Sequence, residues 1–380
     1  MSLRLLFRHG GCLLPCGRRP DGWAAHCRQL QSFTIMYGET GPPSEVLVGK
    51  HISLPHTLQR NEVLVRMLAA PIHPGDINLI EGKYGIKPPL PAIAGSEGVG
   101  VVEDVGDDVT GLMPGDHVLP DLKDRSAGTW RTHLVASADE LTKIDAKIPA
   151  VEAATMRINP GTAYRILHDF GVVPGDTVIQ NGANSSVGQA LIQIAKHMGV
   201  RTVNVIRKRH DMIKVVDHLV SLGADHVITD EELYLPGMEA LWQKVAPPKL
   251  AVDCVAGRSG TGLLRHLTRY GTLVNYGGMS KKPLTVPVSA LVFNAIQIRG
   301  FWMTQWKTRN PASTTSEMMA DIGAMILAGS LKAPLNEVTS ISRFHGAVRR
   351  STQPFMSRKQ ILIMDQTNNN FIHDEYDICV

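Results

Sequence analysis

The sequence predicts an α/β protein in two parts, a β-rich domain followed by a doubly wound parallel sheet. From about Met36 to Leu141, short apolar runs are broken by Gly and Pro, the texture of closely spaced antiparallel strands. From about Val151, apolar strands alternate with stretches of helical spacing, the signature of a parallel sheet. At 380 residues the chain is long for one core and comfortable for two.

The first thirty residues stand apart. Arg4, Arg8, Arg18, Arg19 and Arg28 face one acid, Asp21, with Leu3, Leu5, Leu6, Phe7, Leu13 and Leu14 between them. An Arg-rich, acid-poor start of this kind reads as a mitochondrial transit peptide, with a disordered basic tail as the alternative. This leader carries the whole formal charge of +4, so residues 31–380 are neutral and give no reason to expect a nucleic-acid partner. Cys12, Cys16 and Cys27 fall in the leader, leaving Cys254 and Cys379, too few and too distant for a disulfide framework. A reducing compartment such as the mitochondrial matrix fits. No apolar stretch approaches the roughly 18–20 residues that cross a bilayer, so no membrane span is expected.

In the β-rich part, Glu62-Val-Leu-Val-Arg-Met-Leu-Ala, Gly98 to Gly106 and Gly115-Asp-His-Val-Leu are the clearest strands. The second part opens with the strand Thr177-Val-Ile-Gln. Val187, Ala190, Leu191, Ile194, Ala195 and Met198 then recur at helical spacing. Arg201 to Arg207 is the next strand, Met212 to Ala224 a helix, and His226-Val-Ile-Thr a strand. Leu250 to Val255, Gly260 to Tyr270 and Gly271 to Tyr276 repeat the strand–helix–strand unit, which makes this a Rossmann-type domain. Residues from about Phe301 return to mixed texture and are expected to pack on the first domain. The polar, acidic tail 365–380 reads as disordered.

Asn181-Gly-Ala-Asn-Ser-Ser-Val-Gly188 joins the first strand of this domain to its helix. Backbone N–H groups and the helix dipole can receive a pyrophosphate there, although a structural turn is the bland alternative. Sites that prefer NAD place a carboxylate about 20 residues further on, to meet the ribose hydroxyls. This chain instead has Arg207, Lys208 and Arg209, three cations suited to the 2′-phosphate of NADPH, with a solvated basic loop as the alternative.

Zinc dehydrogenases share the two-domain plan, but residues 28–253 hold no Cys for a structural zinc lobe. At the catalytic position, Gly95-Ser96-Glu97 stands where Gly-His-Glu is needed. His73 with Glu97 makes at most a weak metal site, and a packing histidine is the plainer reading. Without a Lewis acid, reduction of a double bond conjugated to a carbonyl is favoured over reduction of a simple ketone. Hydride addition to the β-carbon pushes charge onto the carbonyl oxygen and α-carbon. Tyr84, in Glu81-Gly-Lys-Tyr84-Gly-Ile, is the remaining polar candidate, since a neutral phenol can donate there. An exposed turn residue is the alternative.

Met67-Leu-Ala-Ala-Pro-Ile, Pro74-x-Asp-Ile-Asn78, Gly128-Thr-Trp-Arg131, Tyr276-Gly-Gly-Met279, Arg299-Gly-Phe-Trp302, Gln305-Trp306 and Lys359-Gln-Ile carry a resemblance over residues 35–364. The chain resembles the mitochondrial trans-2-enoyl-CoA (enoyl-acyl-carrier-protein) reductases, a zinc-free branch of the medium-chain dehydrogenase/reductase superfamily. The resemblance implies a GroES-like catalytic domain with an inserted Rossmann domain, and NADPH-dependent reduction of enoyl thioesters carried on acyl carrier protein or coenzyme A. The expected division is a leader at 1–30, catalytic domain at 31–160 and 301–364, and Rossmann domain at 161–300. Tyr84 matches the catalytic tyrosine. Cofactor contacts carry over to Asn159, to Asn184, Ser185, Ser186 and Val187, to Arg207, Lys208 and Arg209, to Tyr276, Gly277, Gly278 and Met279, to Phe301, Trp302 and Met303, and to Lys359. Trp302 and Trp306 are expected to wall an acyl tunnel, with core packing as the alternative, and a homodimer joined at the Rossmann sheet edge is implied.

Three positions depart from the family pattern. Ser186 stands for Gly in the phosphate turn, where a Cβ is expected to crowd the phosphate or strain a backbone needing positive φ. Arg157 replaces Gly before Asn159, and Ser96 replaces Asn beside Glu97. These departures keep open a divergent, non-catalytic NADPH-binding paralogue, and a zinc-free quinone or enone oxidoreductase is the other alternative.

Overall fold

A computed structural model describes residues 30–364; the leader and the acidic tail singled out in the sequence lie outside them. Strand β1 (Gln31–Tyr37) pairs antiparallel with β2 (Val48–Ser53). The long β3 (Glu62–Pro71) follows, and β4 (Ala92–Ile93) closes the small sheet against β1. Around β3 a larger sheet forms from β5 (Val99–Val105), β6 (His117–Pro120), β7 (His133–Ser137) and β8 (Leu141–Ile144). Along β3 the side chains of Val63, Val65, Met67 and Ala69 are buried while Arg66 is exposed and pairs with Glu103. That period of two is what a strand with one solvated face requires.

The second sheet is six-stranded and parallel, in the order β11-β10-β9-β12-β13-β14. Its members are β9 (Thr177–Asn181), β10 (Arg201–Ile206), β11 (His226–Thr229), β12 (Leu250–Asp253), β13 (Thr272–Asn275) and β14 (Gln297–Gly300). Every residue of β9 is buried, as a central strand covered on both faces must be. The chain then returns: β15 (Asn336–Ser340) pairs with β16 (Lys359–Ile363), and β16 adds antiparallel to β3 in the first sheet.

One apolar cluster joins the two halves. It contains Ala69, Val99 and Leu119 of the first sheet, Val178 and Val252 of the second, Leu191 of the helix that follows β9, and Met303, Met318 and Met319 of the returning segment. The site described below lies over this shared core, so its two sides are held by common packing.

The helix Ser186–His197 is buried from Gly188 to Ala195 all round, wider than the single stripe expected. Gln193 explains the extra burial, because its amide exchanges hydrogen bonds with the backbone of Lys332 in the returning segment. Burying Leu191 and Ile194 stabilises this helix by roughly 1.5–3 kcal/mol each, which pins its N-terminus against the turn. The helix expected over Gly260 to Tyr270 instead spans Gly257–Leu264. The chain turns at Thr268 to Gly271, where Tyr270 takes φ +65°.

Candidate active site

The turn expected to receive the pyrophosphate is set by packing. Ser185 caps the Ser186–His197 helix by accepting the Gly188 N–H at 3.2 Å, a contact of the kind that contributes about 1 kcal/mol. A Cβ at Gly188 would stand 2.5 Å from the Ala183 carbonyl oxygen, so only glycine lets the helix sit this close to its turn. Ser186 begins the helix and is not among the residues with positive φ. The expected backbone strain at this position is therefore absent: the left-handed residue of the turn is Gly182, at φ +58°.

Behind the turn, three polar residues at the carboxyl ends of neighbouring strands bind one another, a set that the sequence reading passed over. Asp253 ends β12 and is fully buried. It accepts from Asn181 of β9 at 2.7 Å, from Asn275 of β13 at 2.9 Å, and from the N–H groups of Val255 and Ala256. Asn181 in turn accepts the Cys254 N–H. The Met279 N–H then bonds to the Cys254 carbonyl, which fixes the loop Tyr276, Gly277, Gly278 and Met279 against the strand ends. Burial pushes the Tyr276 phenol well above its ordinary range. A signal was present in the sequence, namely Asn, Asp and Asn each closing an apolar strand, at Asn181, Asp253 and Asn275.

The basic triplet divides its labour. Arg209 forms a two-pronged pair with Asp211 and also donates to the Phe355 carbonyl oxygen at 2.7 Å. Lys208 lies 3.6 Å from Glu231. Arg207 makes no ion pair or hydrogen bond among the described residues, and its guanidinium stacks on the Phe355 ring, 4.4 Å from the centroid. Of the three, Arg207 has its N–H edges uncommitted.

In the catalytic half, Gly95 (φ +94°) packs its Cα against Trp130, whose ring a Cβ would meet at 2.2 Å. Glu97, two residues on, is fully buried. It accepts from His73 Nε2 at 2.6 Å and from the N–H groups of Arg157 and Ile158 at 2.7 and 2.8 Å. Burial acts to raise the Glu97 carboxyl, but the His73 hydrogen bond, with the charges and N–H groups around it, holds it below its ordinary range. Lys359 closes the chain of contacts, its Nζ lying 2.8 Å from His73 Nδ1. Burial brings Lys359 down to about 8, against the opposing pull of Glu97 and Asp76. An ammonium donating to Nδ1 leaves the histidine proton on Nε2, facing the carboxylate.

These residues do not fit zinc. Both ring nitrogens of His73 are engaged, a lysine occupies the outer one, and the free cysteine of the described residues, Cys254, lies buried in the other domain. Among the described residues no group of three His, Cys, Asp or Glu side chains could hold a metal ion.

Arg157 has a structural place in this network. Its guanidinium donates to Asp121 at 2.8 Å and to the Ser96 carbonyl oxygen, and Lys307 reaches the same aspartate. Ser96 donates to Asp76 at 2.6 Å, and Asp76 caps the His73 N–H at 2.7 Å. Asn159 follows Arg157 at the start of a helix, buried, with its Nδ2 lacking a partner among the described residues.

Tyr84 sits in the loop after the helix Pro74–Ile80, its N–H bonded to the Asn78 carbonyl. The Trp302 indole N–H donates to the Tyr84 hydroxyl oxygen at 3.1 Å. Phe301 continues from β14, its N–H on the Asn275 carbonyl, and Met303 is buried beneath. Trp306 does not reach Tyr84: its N–H donates to Asp169 at 2.8 Å and Arg165 stacks on its ring. That placement agrees with the packing alternative for Trp306.

Comparison with known proteins agrees with this geometry. Residues 59–146 match the alcohol dehydrogenase GroES-like domain model, and residues 186–321 the zinc-binding dehydrogenase model. The chain is 48% identical over 339 residues to the mitochondrial enoyl-acyl-carrier-protein reductase of Xenopus tropicalis, covering 88% of this chain and 96% of that protein. To the Homo sapiens protein of the same name it is 44% identical over 362 residues, 95% of each. A solved complex of Etr1p with NADP and crotonyl-CoA superposes with a TM-score of 0.81 at 31% identity, over 88% of this chain and 100% of that one. The Etr1p/Etr2p heterodimer of Candida tropicalis, a mitochondrial 2-enoyl thioester reductase, gives the same values. With a lysine–histidine–glutamate chain in its first sheet, a tyrosine paired with Trp302 at the edge of the parallel sheet, and relatives 44–48% identical over most of its length, the protein belongs to the mitochondrial enoyl-acyl-carrier-protein reductase family.

Proposed function

We infer that this chain reduces trans-2-enoyl thioesters to saturated acyl thioesters with NADPH, in mitochondria. The single observation that carries the reading is the Tyr84–Trp302 pair at the edge of the Rossmann sheet. Because the indole N–H fills a lone pair of the phenol oxygen, the Tyr84 O–H remains free to donate outward. NADPH, when bound, supplies the hydride for the β-carbon. Tyr84 hydrogen-bonds the thioester carbonyl, whose oxygen gains charge as the double bond is lost, and delivers the proton that the α-carbon needs. The Trp302 N–H then stabilises the phenolate until solvent returns a proton. No metal is required for either role.

The fit to NADPH rests on the uncommitted Arg207, the partnerless Asn159 Nδ2 and the close-packed phosphate turn. We assign the pyrophosphate to Asn184, Ser185, Ser186 and Val187 and the 2′-phosphate to Arg207, with Lys208 and Arg209 adding charge. Asn159, Tyr276 to Met279, Phe301 to Met303 and Lys359 complete the cofactor site. Arg207 carries the preference over NADH because a ribose hydroxyl offers no charge for it to pair with.

Loss of NADPH absorbance on adding a trans-2-enoyl-CoA tests this reading, with a quinone as the competing substrate. Turnover of the thioester is expected; turnover of the quinone alone would overturn it. The chain is also proposed to form a homodimer through β14. All four residues of that edge strand are exposed, and Val288, Val292 and Phe293 beside it present apolar surface. Light scattering is expected to give twice the chain mass, and a monomer would contradict it.

A further inference from the structure

Phe355 lies on the loop between the helix Phe344–Ser351 and β16, in the catalytic half of the molecule, yet it touches the Rossmann domain. Its ring supports the Arg207 guanidinium at 4.4 Å and lies 5.6 Å from that of Arg209, while its carbonyl oxygen accepts from Arg209 at 2.7 Å. The backbone is in the left-handed region, φ +61°, which a phenylalanine adopts only where its surroundings impose it. In this conformation the ring and the carbonyl of one residue serve two arginines.

We propose that Phe355 is a positioning residue for NADPH over NADH, a clasp from the catalytic domain that pre-places Arg207 for the 2′-phosphate. The proposal rests on the assignment of that phosphate to Arg207. An exposed arginine otherwise samples many rotamers, and ordering it on binding costs affinity. Contact with the ring restricts the guanidinium while its N–H groups make no other bond among the described residues, so part of the ordering precedes the phosphate. NADH gains nothing from this, since it has no group for Arg207 to hold. Arg209, tied to Asp211 and to the Phe355 carbonyl, holds the loop in place and adds its charge from behind.

The test measures dissociation constants of NADPH and NADH for the full chain by fluorescence titration. Three variants are compared: Phe355→Leu, which keeps apolar bulk without the π face, Phe355→Tyr, which keeps the face, and Arg207→Ala. Phe355→Leu is expected to weaken NADPH about three- to five-fold while leaving NADH nearly unchanged, with Phe355→Tyr restoring the native value. Equal weakening of both cofactors, or no restoration by Tyr, would mean a merely structural loop and overturn the clasp. If Arg207→Ala removes the NADPH preference and Phe355→Leu does not, the clasp fails while the phosphate assignment stands. A preference unchanged in Arg207→Ala would show that the assignment itself is wrong.

Discussion

Tyr84→Phe is expected to lower the turnover of a trans-2-enoyl thioester by about 100- to 1,000-fold, within the usual range for loss of a general acid. Only one atom is removed, and among the described residues the hydroxyl has a single hydrogen-bond partner, the Trp302 indole N–H. The backbone of the loop is held by Asn78 and does not depend on the phenol. NADPH affinity is therefore expected to stay within about two-fold, because a hydroxyl that acts mainly at the reacting carbonyl contributes to the transition state and not to cofactor binding. Steady-state kinetics with a separate cofactor titration checks both parts. An unchanged kcat would remove Tyr84 from the mechanism; a loss confined to NADPH binding would make it a cofactor residue.

The largest stability effect is expected at Glu97. Glu97→Ala leaves the N–H groups of Arg157 and Ile158 and the His73 Nε2–H without an acceptor, deep in the protein. Removing one member of such a buried, paired network costs about 3–5 kcal/mol, read as a fall of roughly 10 °C in the apparent unfolding midpoint. The pH dependence has a definite sign. Glu97 titrates below its ordinary range in the folded chain, so its contribution is complete above the unfolded value of about 4.3 and is lost as pH falls through the lower folded value. Wild type and variant should differ most near neutrality and converge in acid. A constant gap across that range would mean that the carboxylate's charge is not what matters.

Much of the fold could be read from residue order because periodicity records it. The change from short Gly- and Pro-broken strands to strand–helix alternation marks the two sheets, and β9 to β13 fall on the apolar runs singled out in the sequence. Contacts between distant residues were not legible. The pairing of Lys359 with His73 spans 286 positions and that of Trp302 with Tyr84 spans 218, and no local pattern encodes either. The loop around Tyr84 marks it as a candidate donor but equally fits an exposed turn residue, and only the resemblance favours the first. The basic triplet was found as a charge cluster, but its division of labour depends on Asp211, Glu231 and Phe355, which only the folded chain assembles. Of the two effects expected at Ser186, crowding of the phosphate or backbone strain, the strain is not legible in sequence because a turn rich in small residues does not show which of them takes positive φ. The structure gives that conformation to Gly182 and starts the helix at Ser186.

Reduction is proposed to proceed on protein donors and NADPH, with His73 held between Lys359 and Glu97 and so committed on both ring nitrogens. Turnover of a trans-2-enoyl thioester by protein stripped with a strong chelator tests it most directly. The full rate is expected to survive with no metal added. A rate abolished by chelation and restored by zinc would contradict the account.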